Sequence, residues 1–359
     1  MTHLERLRED LSTSGADGIL ISSQINQRYL TDFHFSDGYL LITRENAFLL
    51  TDSRYIEAAK NSVKEFTALS ITGGKGMKDT LASLIAEQGI HSLAIEDTSL
   101  SCASYKAFSE AFGSCALLSG GSAILTSLRS VKTEKELDRI ARAQAITDEA
   151  FTHILTKISP SMTEQEVALE LEYFMRRRGA EACAFSTIAV SGSASSLPHG
   201  VPRPIPLQKG FLTMDFGARV DGYCSDMTRT VCIGAATEEM KRVYHTVLSA
   251  QRAALDQIAE GAFCRKIDAA ARGIIDAAGY GANFGHSLGH GVGMLVHESP
   301  SLSPKAPEDS RLTRGNVVTV EPGIYLEGRF GCRIEDMVAI DLDGSVRNFT
   351  KSPKELIEL

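Results

Sequence analysis

Four carboxylates in this chain stand where β-strands would ordinarily exclude them. Asp215 ends the run Leu212-Thr-Met-Asp-Phe-Gly, and Asp226 sits within Cys224-Ser-Asp-Met-Thr-Arg-Thr230. Glu321 and Glu335 directly follow the β-branched residues Val320 and Ile334. A carboxylate in an apolar strand is unfavourable unless it is paired or ligating. Taken singly, each has a plain explanation: an Asp at a strand end forms turns, and a strand Glu can face solvent. Taken together they constrain the fold. The Gly222 region can turn the chain back between the two aspartates, and Gly323, Gly328 and Gly331 allow a turn between the two glutamates. Strand pairing would then bring like charges together, and these repel unless a cation lies between them.

His290 lies in Gly289-His-Gly291, four residues after His286, in a segment rich in glycine. A lone histidine is commonly structural, but glycines around it let other groups approach closely. Four carboxylates cancel two divalent cations, and one neutral imidazole completes the set. Oxygen-rich ligands with one nitrogen suit Mn²⁺, Co²⁺, Zn²⁺ or Fe²⁺ better than a thiolate site does. Two such ions can hold a bridging hydroxide, a nucleophile available at neutral pH. Competing motifs fail on spacing. His297-Glu298 has Ser301 where a zincin needs its second histidine, Ser191-Gly-Ser-Ala-Ser195 is no nucleophile elbow, and the Gly73–Lys78 run lacks Walker A spacing.

At 359 residues the chain is long enough for two domains. The first third alternates strand-like runs (18–22, 39–43, 47–51, 92–96) with helical patterns (4–11, 56–62, 77–87), which predicts an α/β domain. Small residues over 120–127 place the boundary there, giving domains 1–125 and 126–359. Capping boxes at Thr133/Glu136 and Thr163/Glu166 open two helices, the second closed by Gly179. Two more helices follow over 237–259 and 264–278, the latter before Gly279. The repeated order of two helices and a strand region predicts a pseudo-symmetric α+β domain with a site between its halves. A net charge of -8 without a dense basic block gives no reason to expect nucleic acid or an anionic membrane surface as partner. No signal peptide or membrane-length apolar run is read. Seven scattered cysteines without a C-x-x-C pair fit free thiols in a reducing, cytoplasmic setting.

The ordered blocks resemble the signature of the pita-bread metallopeptidases, the family of aminopeptidase P, prolidase and methionine aminopeptidase. They are Asp215-Phe-Gly, Ser225-Asp-Met-Thr-Arg-Thr230, Gly289-His-Gly-Val-Gly293, Val296-His-Glu298, Glu321-Pro-Gly-Ile-Tyr325 and Arg333-Ile-Glu-Asp336. Asp215 and Asp226 are eleven residues apart, as in the family. The resemblance is strong from about 130 to 359. The first third resembles the creatinase-type N-terminal domain at Tyr29-Leu-Thr-Asp-Phe33 and Leu50-Thr-Asp-Ser-Arg-Tyr55, which points to the proline-specific branch.

By this resemblance, Asp215 chelates one metal, His290 and Glu321 hold the other, and Asp226 and Glu335 bridge both. His199, in Pro198-His-Gly200, and His297 would contact the scissile carbonyl and stabilise the oxyanion. Glu321 would pass a proton from water to the leaving proline nitrogen. His286 and Arg333 would orient ligands. Lys209-Gly-Phe-Leu212 stands where relatives often have Gly-Asp, outside the metal shell. Several prolidases carry an arginine at the place of Ser301 to hold a dipeptide's carboxylate. Its absence here points to an Xaa-Pro aminopeptidase, with Xaa-Pro dipeptidase as the alternative. A creatinase-like amidinohydrolase or a non-catalytic relative lacks the metal ligands, which are intact here. The resemblance further implies two divalent ions, Mn²⁺ before Co²⁺ or Zn²⁺, and a homodimer.

Overall fold

The computed structural model describes residues 1–71 and 76–359. Residues 72–75, which include the start of the Gly73–Lys78 run, lie outside the described residues. The chain divides into two compact units, Met1–Arg129 and Ser130–Leu359. The small-residue stretch at which the boundary was placed lies in a helix, Gly121–Ser130, and the two units divide at the end of that helix. The helix is drawn onto the strand Ser92–Ile95 because Gly121 has no side chain: a Cβ there would overlap the Ile95 backbone.

Among the described residues of the first unit, a six-stranded mixed sheet runs in the order Thr67–Ser70, Ala47–Thr51, Gly38–Thr43, Gly18–Ile21, Ser92–Ile95, Ala116–Leu118. The antiparallel pairs are central, and parallel neighbours flank them on both sides. Ile19, Leu20 and Ile21 are all buried, as expected of a strand covered on both faces.

The second unit builds its core twice. Helices Glu134–Leu155 and Glu164–Arg177 start at the two capping boxes, each with reciprocal Thr–Glu hydrogen bonds. Their apolar faces pack on strands Ile188–Ser191, Gly210–Phe216 and Met227–Ile233. Helices Glu238–Leu255 and Cys264–Ala277 cover a second core with strands Val317–Val320, Gly323–Leu326, Phe330–Arg333 and Asp336–Ile340. The second unit thus repeats two helices over a strand layer, the pseudo-symmetric arrangement expected from the sequence.

Strand Gly210–Phe216 shows how such a fold frees a face for chemistry. Leu212, Met214 and Phe216 enter the first core, while Phe211 enters the second. Thr213 and Asp215 share the parity of Phe211, because side chains alternate along a strand. The partner strand is antiparallel, with Thr228 opposite Asp215 and Met227 opposite Phe216. The turn that reverses the chain carries two left-handed residues, Asp221 and Gly222. Gly217 is required next to it: a Cβ there would collide with the Ser225 carbonyl. The other acidic pair flanks a hairpin, Gly323–Leu326 with Phe330–Arg333, turned at Gly328 with φ +68°.

Candidate active site

A cavity of about 550 Å³ in the second unit is lined by Asp215, Asp226, His290, Glu321 and Glu335 together with His199, His286, His297, Ser301 and Arg333. Every residue singled out from the sequence therefore reaches one space. Asp226, His290 and Glu335 each offer a ligand atom, and these three atoms lie within 4.8 Å of one another.

The hydrogen bonds fix how each group is presented. Arg333 Nη2 donates to Asp215 Oδ2 at 2.5 Å, and Thr228 Oγ1 donates to Glu335 Oε2 at 2.7 Å. Each carboxylate thus has one oxygen anchored. The other oxygens, Asp215 Oδ1 and Glu335 Oε1, are buried and have no hydrogen-bond partner among the described residues. Asp226 immediately precedes the strand Met227–Ile233 and Thr228 is its second residue, so one short segment supplies both a carboxylate and the hydroxyl that orients another.

His290 lies 3.1 Å through Nδ1 from the Gly291 carbonyl, which can only accept, so Nδ1 carries the hydrogen. Nε2 then faces Glu321 Oε1 at 3.2 Å and Asp226 Oδ2 at 3.6 Å. Tyr325, part of the Glu-Pro-Gly-Ile-Tyr block, has a role the sequence did not disclose. His286 Nδ1 donates to the Ser287 carbonyl at 2.8 Å, leaving Nε2 to accept from the Tyr325 hydroxyl at 3.0 Å. Arg333 Nη1 donates to the same hydroxyl at 2.8 Å. A chain from His286 through Tyr325 and Arg333 therefore ends on Asp215. Nothing in residue spacing marks Tyr325 or Thr228; only the strand register brings them in.

The electrostatics follow from burial. Burial, then the charges of Glu335 and Asp215, push Asp226 well above the ordinary carboxylate range. Burial, then Glu321 and Asp215, do the same to Glu335. Burial raises Asp215 too, against the opposing Arg333 charge. Burial opposes ionisation of Glu321, but the hydrogen bond and charge of His290, helped by His286 and Arg333, prevail and lower it. Burial and the neighbouring His290 depress His297, and burial depresses His286. Arg333 is the one Arg or Lys lining the cavity among the described residues, so the acidic set exceeds its built-in positive charge. Two bare buried oxygens, a crowded acidic set and an imidazole with Nε2 turned inward are the donor chemistry that divalent cations require.

Comparison with known proteins bears this out at the level of the family. Residues 138–341 match the model of metallopeptidase family M24, and residues 3–131 match the creatinase/prolidase N-terminal domain. The chain belongs to metallopeptidase family M24. It is 42% identical over 357 residues to the uncharacterized peptidase YqhT of Bacillus subtilis, covering 99% of both chains. The Xaa-Pro dipeptidase of Bacillus anthracis superposes with a TM-score of 0.95 at 40% identity, covering 99% of each chain. The X-Pro aminopeptidase of Thermotoga maritima gives 0.90 at 38% identity, covering 98% of this chain and 99% of that one.

Proposed function

We propose that this chain is a two-metal exopeptidase that hydrolyses Xaa-Pro dipeptides. The observation that carries the metal-dependent part is the pair of buried, bare oxygens on Asp215 and Glu335, set beside Asp226, Glu321 and the inward Nε2 of His290. In this reading Asp215, Asp226, His290, Glu321 and Glu335 would together hold the two cations. Bound there, two divalent cations supply a nucleophilic water at neutral pH and polarise the scissile carbonyl. The oxygen-rich set favours Mn²⁺, with Co²⁺ and Zn²⁺ as the alternatives.

The chain's own groups do the rest. His297 and His199 face the cavity and donate to the carbonyl oxygen as charge develops on it. The carboxylate of Glu321 takes a proton from the attacking water and delivers it to the proline nitrogen. That nitrogen belongs to a tertiary amide and has no hydrogen of its own, so it leaves only when protonated. Arg333 and Tyr325 hold Asp215 in place.

Substrate length divides two readings. Relatives named Xaa-Pro dipeptidase, including those of Pyrococcus horikoshii and Bacillus anthracis, favour the dipeptide and revise the aminopeptidase expectation. The aminopeptidase reading retains one specific observation: Ser301, opposite His290 in the strand register, lines the cavity where a guanidinium would meet a dipeptide carboxylate. Hydrolysis of Ala-Pro and Ala-Pro-Ala with Mn²⁺, Co²⁺ or Zn²⁺, with and without chelator, tests both. Faster cleavage of Ala-Pro supports the dipeptidase, and faster cleavage of Ala-Pro-Ala the aminopeptidase. Full activity in strong chelator, or no cleavage of either peptide, overturns the proposal.

A further inference from the structure

Glu298 follows His297 directly but does a different job. The side chain of His297 opens into the cavity, and its ring centroid lies 4.2 Å from that of His290. The side chain of Glu298 turns into the interior, where it is 2% exposed. It lies 3.4 Å from Nζ of Lys132, which is 1% exposed. The turn before His297 is built around this carboxylate. Leu295 N donates to Glu298 Oε1 at 3.0 Å, and the absence of a side chain at Gly293 leaves room for the carboxylate, which a Cβ there would crowd. Cys224 N holds the same turn by donating to the Gly293 carbonyl at 2.8 Å. Lys132 is itself fixed, its backbone N donating to the Gly315 carbonyl at 2.8 Å.

A buried lysine and a buried glutamate are each costly to desolvate, and they persist where their geometry is used. We infer that the Lys132–Glu298 pair is a positioning device for His297. It fixes the 293–298 turn so that the imidazole stands over the reacting carbonyl, and it touches neither substrate nor metal. The inference rests on the role proposed above for His297.

The test is a double-substitution cycle in the Mn²⁺-loaded full chain, with a cleaved Xaa-Pro peptide as substrate. Glu298→Gln keeps the size and an acceptor for Leu295 N but removes the charge. It is expected to lower kcat by about tenfold or more, as loss of an orienting partner typically does, with KM and metal content unchanged. His297→Ala should lower kcat by about a hundredfold. Placed on His297→Ala, the Glu298→Gln change should cost no more than about twofold, because its effect runs through a side chain no longer there. Lys132→Met should behave like Glu298→Gln, and Lys132→Arg should recover most of kcat. If His297→Ala leaves kcat intact, the role of His297 falls, and this inference with it. If His297→Ala is impaired but Glu298→Gln costs the same factor in both backgrounds, only the inference falls. Should Glu298→Gln not fold, the cycle is run with Lys132→Met. Failure of that variant to fold as well would mark the pair as structural and overturn the inference.

Discussion

Nε2 of His290 lies 3.2 Å from Oε1 of Glu321 while Nδ1 of the same ring is spent on the Gly291 carbonyl. The backbone thus fixes the ring with Nε2 turned toward the acidic cluster, where a bound cation would displace its proton. A ring so oriented ligates through Nε2 without rotating. His290→Ala should therefore lose metal and, with it, several kcal/mol of electrophilic assistance, a drop of about a thousandfold in kcat/KM. Elemental analysis of the dialysed variant alongside peptide hydrolysis checks this. Retention of two ions per chain would remove His290 from the ligand set.

Gly217 predicts a mutation that reaches the site through the backbone. A Cβ at this position would run into the Ser225 carbonyl, so Gly217→Ala must push Ser225 and the adjoining Asp226 away from the strand that carries Asp215. Overpacking of this kind costs about 1–3 kcal/mol. Urea unfolding should show a lower midpoint, and titration with Mn²⁺ should show weaker binding. An unchanged metal affinity would mean that Asp226 tolerates the shift.

Glu164 gives the stability a defined pH dependence. Its side chain is fully buried and accepts from Ser191 N and Oγ, both at 2.7 Å, and from Arg203 Nη2 at 2.6 Å. Ser191 and Arg203 bracket the segment that carries His199. Burial opposes ionisation, but the Arg203 and Ser191 hydrogen bonds prevail, so the carboxyl lies below its usual value. A lowered pKa stabilises the fold above the ordinary glutamate value, about 4.3, and the contribution fades as pH falls through the lowered one. Glu164→Gln should thus cost about 1.5–3 kcal/mol at pH 7, the range for hydrogen bonds to a charged group, and progressively less below pH about 4. Urea midpoints of both proteins across pH 3–7 decide it. A difference independent of pH would show that the charge contributes nothing.

Much of this site could be read before any coordinates because its chemistry conflicts with its surroundings. A carboxylate after Val320 or Ile334 breaks the pattern of a buried strand, and each such break proved to line the cavity. The turn at Gly222 was legible because left-handed backbone selects glycine; that Asp221 is left-handed too was not read. Capping boxes gave the helix starts at Glu134 and Glu164 because the signal is local. What stayed hidden depends on register. Tyr325 reaches His286, and Thr228 reaches Glu335, across strands whose alignment no local pattern fixes. The helix Gln24–Thr31 was missed because it is short and its polar residues Asn26 and Gln27 are buried, blurring the apolar stripe.

Ser301 yields the prediction on which the choice of substrate turns. It lies on the strand Glu298–Leu302 beside His290, is exposed, and lines the cavity. A dipeptide places its carboxylate directly after the scissile bond, and enclosing that charge without a partner is unfavourable. A serine hydroxyl can donate one hydrogen bond, whereas a guanidinium donates two in the plane of the carboxylate. Arg333, the cation already present, is engaged by Asp215 and Tyr325 and is 4% exposed, so it has little freedom to turn toward substrate. Ser301→Arg should therefore raise kcat/KM for Ala-Pro relative to Ala-Pro-Ala by about tenfold or more, the range for a charged hydrogen bond. Competitive hydrolysis of the two peptides by both proteins measures that ratio directly. If the unmodified chain already prefers Ala-Pro and Ser301→Arg does not increase the preference, the dipeptide carboxylate is held elsewhere and position 301 has no part in selecting substrate length.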